Sequence, residues 1–365
     1  MTYEEKLAGL VCEYSLGIKE GQVVEIVGEV CAEPLIKACY KKVLQLNAYP
    51  IVKMSFGEQL ALFYKYANDE ILKKIPESVL CAAKTHNARI FIDSELNTKQ
   101  LSIVDKQKVA INRSATRILK DIMFERESKG EFKWVIAPYP TNSMAQDAEM
   151  DVETYSEFVF NACKLNEDNP VSSWQKIESF QQNIVDRLTG TKEIHIKGEN
   201  TDLKIDISGR KWINCCGHHN MPDGEVFTSP VEDSANGYIY FDMPTSFMGV
   251  EVSGAFLKFE KGKVVEAKAE KNEDFLIKML ETDSGAKYLG EVAFGLNDAI
   301  KFPTKNILFD EKIGKTIHLA VGSSYPEAGG KNRSGLHWDL IKSMKSGEVL
   351  ADGKLIYKNG EFVNG

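Results

Sequence analysis

The sequence lacks the long hydrophobic runs and the basic tracts that would indicate a membrane or a nucleic acid as its partner. No stretch approaches the roughly 18 consecutive apolar residues that a membrane-spanning helix needs. The 365-residue chain has 45 basic and 53 acidic residues, a net charge of −8, and its Lys and Arg residues are dispersed. Because binding to nucleic acid requires a concentrated basic face, we expect neither nucleic acid nor membrane as a partner.

The beginning of the chain lacks the basic start, apolar stretch and small-residue cleavage site of a secretory signal peptide. MTYEEKLAGLVCEYSLGIKEGQ instead starts with charged residues and has the pattern of an amphipathic helix. The seven cysteines are odd in number and have no disulfide-framework spacing. We therefore predict a cytoplasmic protein with reduced thiols.

Motifs of nucleotide-binding enzymes and serine hydrolases are also missing. The first strand–helix junction, VGEVCAEPL, has no GxGxxG. Gly314-Lys315-Thr316 resembles the end of a phosphate loop, but Phe309 stands where that loop needs glycine. No GxSxG is present, and most cysteines fall in apolar helical patterns that are typical of structural thiols. We expect no nucleotide or organic cofactor.

The patterning predicts two domains. Strand-like GQVVEIVGEV, YPIVKMSF, ARIFIDSE and KWVIAPYP are separated by helical segments, which indicates a mostly parallel sheet. EIHIKGENTDLKIDI and later segments instead alternate apolar and polar residues, as half-buried strands do. We therefore predict an α/β N-terminal domain with a mostly parallel sheet over residues 1–185 and a strand-rich α+β C-terminal domain over residues 186–365.

Two segments of the second domain carry histidines in positions suited to metal binding. If SGLHWDLI is a strand, its period of two places His337 and Asp339 on one face and Trp338 on the other. An imidazole and a carboxylate side by side are suitable ligands for a divalent metal. His318 lies in the strand-like TIHLAVG, and Tyr325 follows in a glycine-rich loop.

Two glutamates stand in segments that are otherwise apolar or turn-like. Glu225 in MPDGEVFTSP and Glu291 in YLGEVAFGLN each follow a glycine and precede a valine. Burying a carboxylate there is costly unless a positive group neutralises it, and a metal ion would do so. The alternative is that both are surface glutamates beside turns.

The ordered segments NMPDGEVFTSP, LGEVAFGLN, LFDE with TIHLAVGSSYP, and SGLHWDL resemble the dinuclear metallo-aminopeptidases typified by aminopeptidase T and aminopeptidase S. WVIAPYPTNSMAQDAEM in the first domain is similar too, so the resemblance covers most of the chain. It implies that the second domain is the metal-binding catalytic domain and that Tyr325 is a catalytic residue. The metal ligands that it implies are Glu225, Glu291, Glu311, His318, His337 and Asp339.

The resemblance further implies removal of the N-terminal residue from peptides with a free N-terminus, by a homodimer. Two divalent ions (zinc, cobalt or manganese) would share a bridging water, and Tyr325 would donate a hydrogen bond to the oxyanion. Glu225 or Glu291 would carry the proton to the leaving amine. The interval between His318 and His337 is shorter than is usual in the family, and His218 and His219 match none of its ligands.

Two other functions remain open from the sequence. The same metals could serve another dinuclear metallohydrolase, an amidase or a dipeptidase, which would differ in whether the substrate needs a free amine. An α/β protein that binds a small molecule without catalysis is the other alternative, and it would show no inhibition by a chelator.

Overall fold

The computed structural model describes residues 1–363, whose contacts divide the chain into two compact units. The first unit contains residues 1–171 together with 217–222, and the second contains residues 172–216 and the chain from Asp223 onward. The domain boundary predicted at 185 falls inside a helix, Pro170–Leu188, and stays a prediction. Over residues 1–363, no helix combines the length and apolar character that crossing a bilayer requires.

A four-stranded parallel sheet lies at the centre of the first unit, in the order β2-β1-β3-β4. Its strands are β1 (Val23–Glu29), β2 (Tyr49–Ser55), β3 (Ala88–Asp93) and β4 (Lys133–Pro138). Val24, Ile26 and Ile90 are completely buried, as expected for the central strands of a sheet with helices on its faces. The predicted α/β class of the N-terminal domain is confirmed.

In the described residues of this unit, α-helices accompany the sheet, and local sequence signals explain where several of them begin. They are α1 (Tyr3–Gly9), α2 (Glu33–Gln45), α3 (Gln59–Tyr66), α4 (Asp69–Lys73), α5 (Glu77–Thr85), α6 (Lys106–Ser128), α7 (Asn142–Asp147) and α8 (Val152–Ala162). Thr2 and Glu5 form a capping box at the start of α1. The Asp151 side chain accepts two backbone N–H bonds at the start of α8.

The second unit consists mainly of antiparallel strands in two large sheets. The eight-stranded sheet has the order β13-β12-β9-β6-β5-β17-β18-β19, the five-stranded sheet has the order β16-β15-β14-β8-β7, and β10 and β11 pair separately. The helices of this unit are α9 (Pro170–Leu188), α10 (Glu273–Leu280) and α11 (Ile307–Asp310). The strands are β5 (Glu193–Gly198), β6 (Thr201–Asp206), β7 (Ile213–Cys215), β8 (Glu225–Thr228), β9 (Asn236–Phe241), β10 (Thr245–Phe247), β11 (Val250–Val252), β12 (Ala255–Glu260), β13 (Lys263–Lys268), β14 (Leu289–Gly295), β15 (Thr316–Gly322), β16 (His337–Ser343), β17 (Glu348–Ala351), β18 (Lys354–Lys358) and β19 (Glu361–Phe362).

Both sheets contribute to one hydrophobic core. The apolar residues of EIHIKGENTDLKIDI are buried in it, as their alternation predicts, for example Ile194 and Leu203 at 0% exposure. Val292 and Phe294 of β14 and Ile317 of β15 belong to the same cluster. Because side chains alternate along a strand, the residues between them point to the opposite face of the five-stranded sheet. The strand-rich C-terminal domain predicted from the sequence is confirmed.

Candidate metal centre

Four adjacent strands bring the predicted ligands together on the face of the five-stranded sheet that lies away from the core. Val226, Val292, Leu319 and Trp338 face the core cluster, one from each of β8, β14, β15 and β16. The residue before each of these side chains points to the other face, which places four predicted ligands there. They are Glu225, Glu291, His318 and His337, and Asp339 follows His337 by two residues.

Strand register sets these side chains beside one another. His318 is paired with Ala293, and Asp339 is paired with Ala320. These small residues leave room between the ligand-type side chains on the shared face. Glu225, Glu291 and Asp339 are 4–5% exposed and His318 is fully buried, so the site is enclosed.

Glu291 lies at the centre of the cluster because its two oxygens face different imidazoles. Its Oε1 is 3.4 Å from Nε2 of His318, and its Oε2 is 3.5 Å from Nε2 of His337. The same Nε2 of His318 is 3.4 Å from Oε2 of Glu225, and Nε2 of His337 is 3.8 Å from Oδ1 of Asp339. Each imidazole therefore lies between two carboxylates.

These side chains form three overlapping groups that could each hold an ion, with donor atoms within 4.8 Å of one another. The groups are Glu225 with Glu291 and His318, Glu291 with His337 and Asp339, and Glu311 with His318 and Asp339. Glu291, His318 and Asp339 each belong to two groups. All six residues named as metal ligands from the sequence are thus brought together.

Glycines precede both buried glutamates because the backbone approaches other segments closely there. Gly224 has φ +124°, and a Cβ on it would lie 2.9 Å from Cβ of Asn297. A Cβ on Gly290 would lie 2.1 Å from the backbone oxygen of Ser323. The Gly-Glu pattern of the sequence therefore reflects packing around the site.

Tyr325 also lies at this site, although it is 38% exposed. Its hydroxyl donates to Nε2 of His337 at 3.4 Å, and its ring packs against Phe227 with centroids 5.0 Å apart. Nδ1 of His337 donates to the backbone oxygen of Ser323 at 2.8 Å. Since a carbonyl can only accept, this bond fixes the imidazole tautomer and leaves Nε2 directed at the carboxylates.

The cluster contains more carboxylates than basic groups that could neutralise them. Burial raises the pKa of Glu225 to about 7, against the opposing effects of Lys312 and His318. Burial lowers the pKa of His318, but the hydrogen bond to Glu291 and the charges of Glu225 and Glu291 outweigh it, and the net shift is upward. Burial also lowers the pKa of His337, and the charges of Asp339 and Glu291 raise it above its usual value. A cation in the cluster would stabilise the carboxylates in their charged form and the imidazoles in their neutral form.

The donor atoms themselves fit a divalent metal. Oε2 of Glu225 and Oδ1 of Asp339 are buried and have no hydrogen-bond partner among the described residues. Buried polar atoms are normally satisfied, so two such carboxylate oxygens in one cluster fit a bound cation. A mixture of imidazole and carboxylate donors suits zinc, cobalt or manganese.

The histidine pair His218-His219 lies elsewhere. Both residues belong to the first unit, in the segment 217–222. The His218 ring stacks on Tyr14 with centroids 4.8 Å apart, and Nε2 of His219 is 2.8 Å from Oε1 of Glu127. The backbone of this segment pairs with β4 through an isolated parallel bridge between Ile136 and Asn220. These contacts give the two histidines structural partners within the first unit.

Two residues at the cluster carry no signal in the sequence. Lys312 is completely buried and forms an ion pair with Glu311, and its Nζ is 3.7 Å from Oε1 of Glu225. Gln181 of α9 is also completely buried, and its Nε2 donates to the backbone oxygens of Cys215 and Glu225 at 2.8 and 3.1 Å. A lysine after an acidic pair and a glutamine in an amphipathic helix are both common on surfaces, so neither stands out by residue type.

Buried carboxylates and imidazoles that converge on one face of a sheet are typical of metal-dependent hydrolases. The chain belongs to the thermophilic metalloprotease (M29) family, whose model matches residues 3–362. It is therefore a metal-dependent hydrolase of peptide bonds, as the sequence resemblance implied.

Individual relatives match over nearly the whole chain. Aminopeptidase AmpS of Bacillus subtilis (strain 168) is 29% identical, over 99% of this chain and 99% of that protein. Aminopeptidase T of Thermus thermophilus is 27% identical, over 98% of this chain and 95% of that protein. The solved structure of wild-type AmpT from Thermus thermophilus superposes with a TM-score of 0.85 at 26% identity, covering 99% of both chains.

Proposed function

We propose that the protein is an aminopeptidase that removes the N-terminal residue of peptides with two divalent ions. The side chains proposed to hold them are Glu225, Glu291, Glu311, His318, His337 and Asp339. The observation that carries the proposal is the position of Glu291, whose two oxygens face two different imidazoles at 3.4 and 3.5 Å. A carboxylate in this position suits a bridge between two ions. The names of the similar proteins, aminopeptidase AmpS and aminopeptidase T, support the exopeptidase activity.

When bound, the ions would supply a bridging water of lowered pKa and would polarise the scissile carbonyl. The chain's own groups would do the rest. Tyr325 would donate a hydrogen bond to the oxyanion of the tetrahedral intermediate. Glu225 would accept the proton of the attacking water and pass it to the leaving amine, since Glu291 would use both of its oxygens to hold the ions.

The free α-amine of the substrate would bind near one ion or an acidic side chain, which would make the enzyme an exopeptidase rather than an endopeptidase. A homodimer, a cytoplasmic location and the choice among zinc, cobalt and manganese stay predictions.

The test is hydrolysis of leucine p-nitroanilide by purified protein as isolated, after chelator treatment, and after addition of zinc, cobalt or manganese. We expect activity that the chelator abolishes and one ion restores, with two ions bound per chain. N-acetylleucine p-nitroanilide is the matched control, because an aminopeptidase leaves it uncleaved. Cleavage of the acetylated compound would indicate an amidase, and a protein that binds no metal would contradict the proposal.

A further inference from the structure

A lysine occupies the interior of the candidate metal centre. Lys312 is 0% exposed, in a position where an ammonium group is costly unless it is paired. Its Nζ forms an ion pair with Oε1 of Glu311 and lies 3.7 Å from Oε1 of Glu225. Both partners belong to the carboxylates proposed as metal ligands, so the chain places an ammonium group of its own among them.

Hydrogen bonds fix the backbone from which this side chain starts. The N–H of Lys312 donates to the backbone oxygen of Phe309 at 3.0 Å, and its carbonyl accepts from the N–H of Asn297 at 3.0 Å. Two residues earlier, the buried Asp310 side chain accepts from the backbone N–H groups of Thr304 and Lys305 at 2.6 and 2.8 Å. The short segment that carries Glu311 and Lys312 is therefore anchored by these hydrogen bonds, and the complete burial of Lys312 confines its side chain to the cluster.

The number of carboxylates at the site gives the Lys312 ammonium a role. Four carboxylates, those of Glu225, Glu291, Glu311 and Asp339, lie in the overlapping ligand groups. Without metal, their mutual repulsion in a buried site is opposed by the Lys312 ammonium together with the imidazoles. With metal, the ammonium repels the incoming ion and competes with it for the oxygens of Glu225 and Glu311.

We propose that Lys312 is an internal counter-cation: it holds Glu225 and Glu311 in position without metal and weakens the binding of the ions that these carboxylates would hold. Lys312 is thus a positioning residue, which preassembles the centre and limits its affinity for metal. This inference rests on the proposed function, since it requires that the cluster binds divalent ions.

The test compares Lys312→Met with Lys342→Met. Lys342 is a matched control because it is also a buried lysine of the second unit, 2% exposed, but its Nζ donates to the backbone oxygens of Glu199 and Tyr240 at 3.2 and 3.1 Å. The measurements are the zinc dissociation constant, by competition with a chromophoric chelator, and the melting temperature of the chelator-treated and zinc-loaded proteins.

For Lys312→Met we expect a lower melting temperature without metal and zinc binding that is tighter by roughly tenfold or more. The zinc-induced rise in melting temperature should therefore exceed that of the wild type. For Lys342→Met we expect lower melting temperatures in both forms and a zinc dissociation constant within about twofold of wild type. Zinc binding by folded Lys312→Met that is unchanged or weaker would overturn the inference.

A second variant, Lys312→Arg, keeps the test decisive if Lys312→Met does not fold without zinc. If Lys312→Met folds only when zinc is present, Lys312→Arg must fold without zinc, because it retains the positive charge. If Lys312→Arg also needs zinc, the shape of Lys312 and not its charge is responsible, and the inference is wrong. A wild-type protein that binds no zinc would refute the proposed function itself, whereas equal zinc affinities in Lys312→Met and Lys342→Met would refute only the role of Lys312.

Discussion

Replacing Glu291 by glutamine tests whether one carboxylate serves both ions. The side chain keeps its shape and loses its charge, and it stands 3.4 Å from the His318 imidazole and 3.5 Å from the His337 imidazole. Loss of a group that only supports a metal ligand typically costs roughly 10–100-fold in affinity. Loss of a direct ligand should reduce the affinity further. We therefore expect the affinity for each ion to fall by roughly 100-fold or more, which is about 2.7 kcal/mol at about 1.4 kcal/mol for each factor of ten.

The assay is equilibrium dialysis against zinc, with ions per chain measured as a function of free zinc, together with hydrolysis of leucine p-nitroanilide. Because Glu291 belongs to two of the ligand groups, both binding steps should weaken together and activity should be lost. A change confined to one step would mean that Glu291 serves a single ion.

Glu25→Gln is the matched control. Glu25 is a buried glutamate of the first unit, 5% exposed, with Oε2 2.5 Å from Nε of Arg89 and Oε1 4.0 Å from Nδ1 of His86. Its substitution also removes a buried negative charge beside an imidazole, so it should lower the melting temperature while leaving zinc binding unchanged. Glu291→Gln protein that binds two ions with wild-type affinity would refute the bridging position of Glu291.

Three further outcomes follow from the same site. His337→Ala should abolish activity at matched metal content, whereas His195→Ala, on β5 outside the cluster, should stay near wild type; equal loss in both would contradict the assignment. Tyr325→Phe should lower kcat roughly 10²–10³-fold with unchanged zinc affinity, and weaker zinc binding would argue against a role confined to the oxyanion. Burial raises the pKa values of Glu225 and Asp310 to about 7, so their contribution to the stability of the metal-free protein is present below about pH 4 and is lost as the pH rises through about 7. The melting temperature of chelator-treated protein should therefore fall from about pH 5 to about pH 8. Over the same range the zinc-induced rise in melting temperature should grow, because the ligands must lose protons to bind metal. A melting temperature of the metal-free protein that rises over this range would contradict the raised pKa values.

Strand periodicity made much of the second unit predictable. In SGLHWDLI, the alternation alone assigns Trp338 to one face and His337 and Asp339 to the other, and the structure places Trp338 in the core at 2% exposure. The identity of the ligands beyond this pair depended on the family resemblance, because a glutamate after a glycine is also common at a surface turn.

Contacts between distant segments could not be predicted in this way. The segment 217–222 lies between two parts of the second unit in sequence but belongs to the first unit. It joins the first unit through a parallel bridge between Ile136 and Asn220, which no local pattern specifies. The adjacent histidines His218 and His219 attract attention as metal ligands, yet their neighbours are Tyr14 and Glu127.

The alternation of faces also explains how one sheet can carry both the core and the candidate metal centre. Val292 and Phe294 contribute to the core from the same strand that presents Glu291 to the cluster. Truncating Phe294 to alanine removes packing and should cost about 3–5 kcal/mol of folding free energy, whereas Glu291 contributes a charge that burial disfavours. Ligand residues of this kind destabilise the metal-free fold, and the apolar residues beside them on the same strands compensate for it. The ammonium of Lys312 also compensates for the buried ligands. It offsets the negative charge of the carboxylates beside it, which the apolar, core-facing residues of the sheet cannot neutralise.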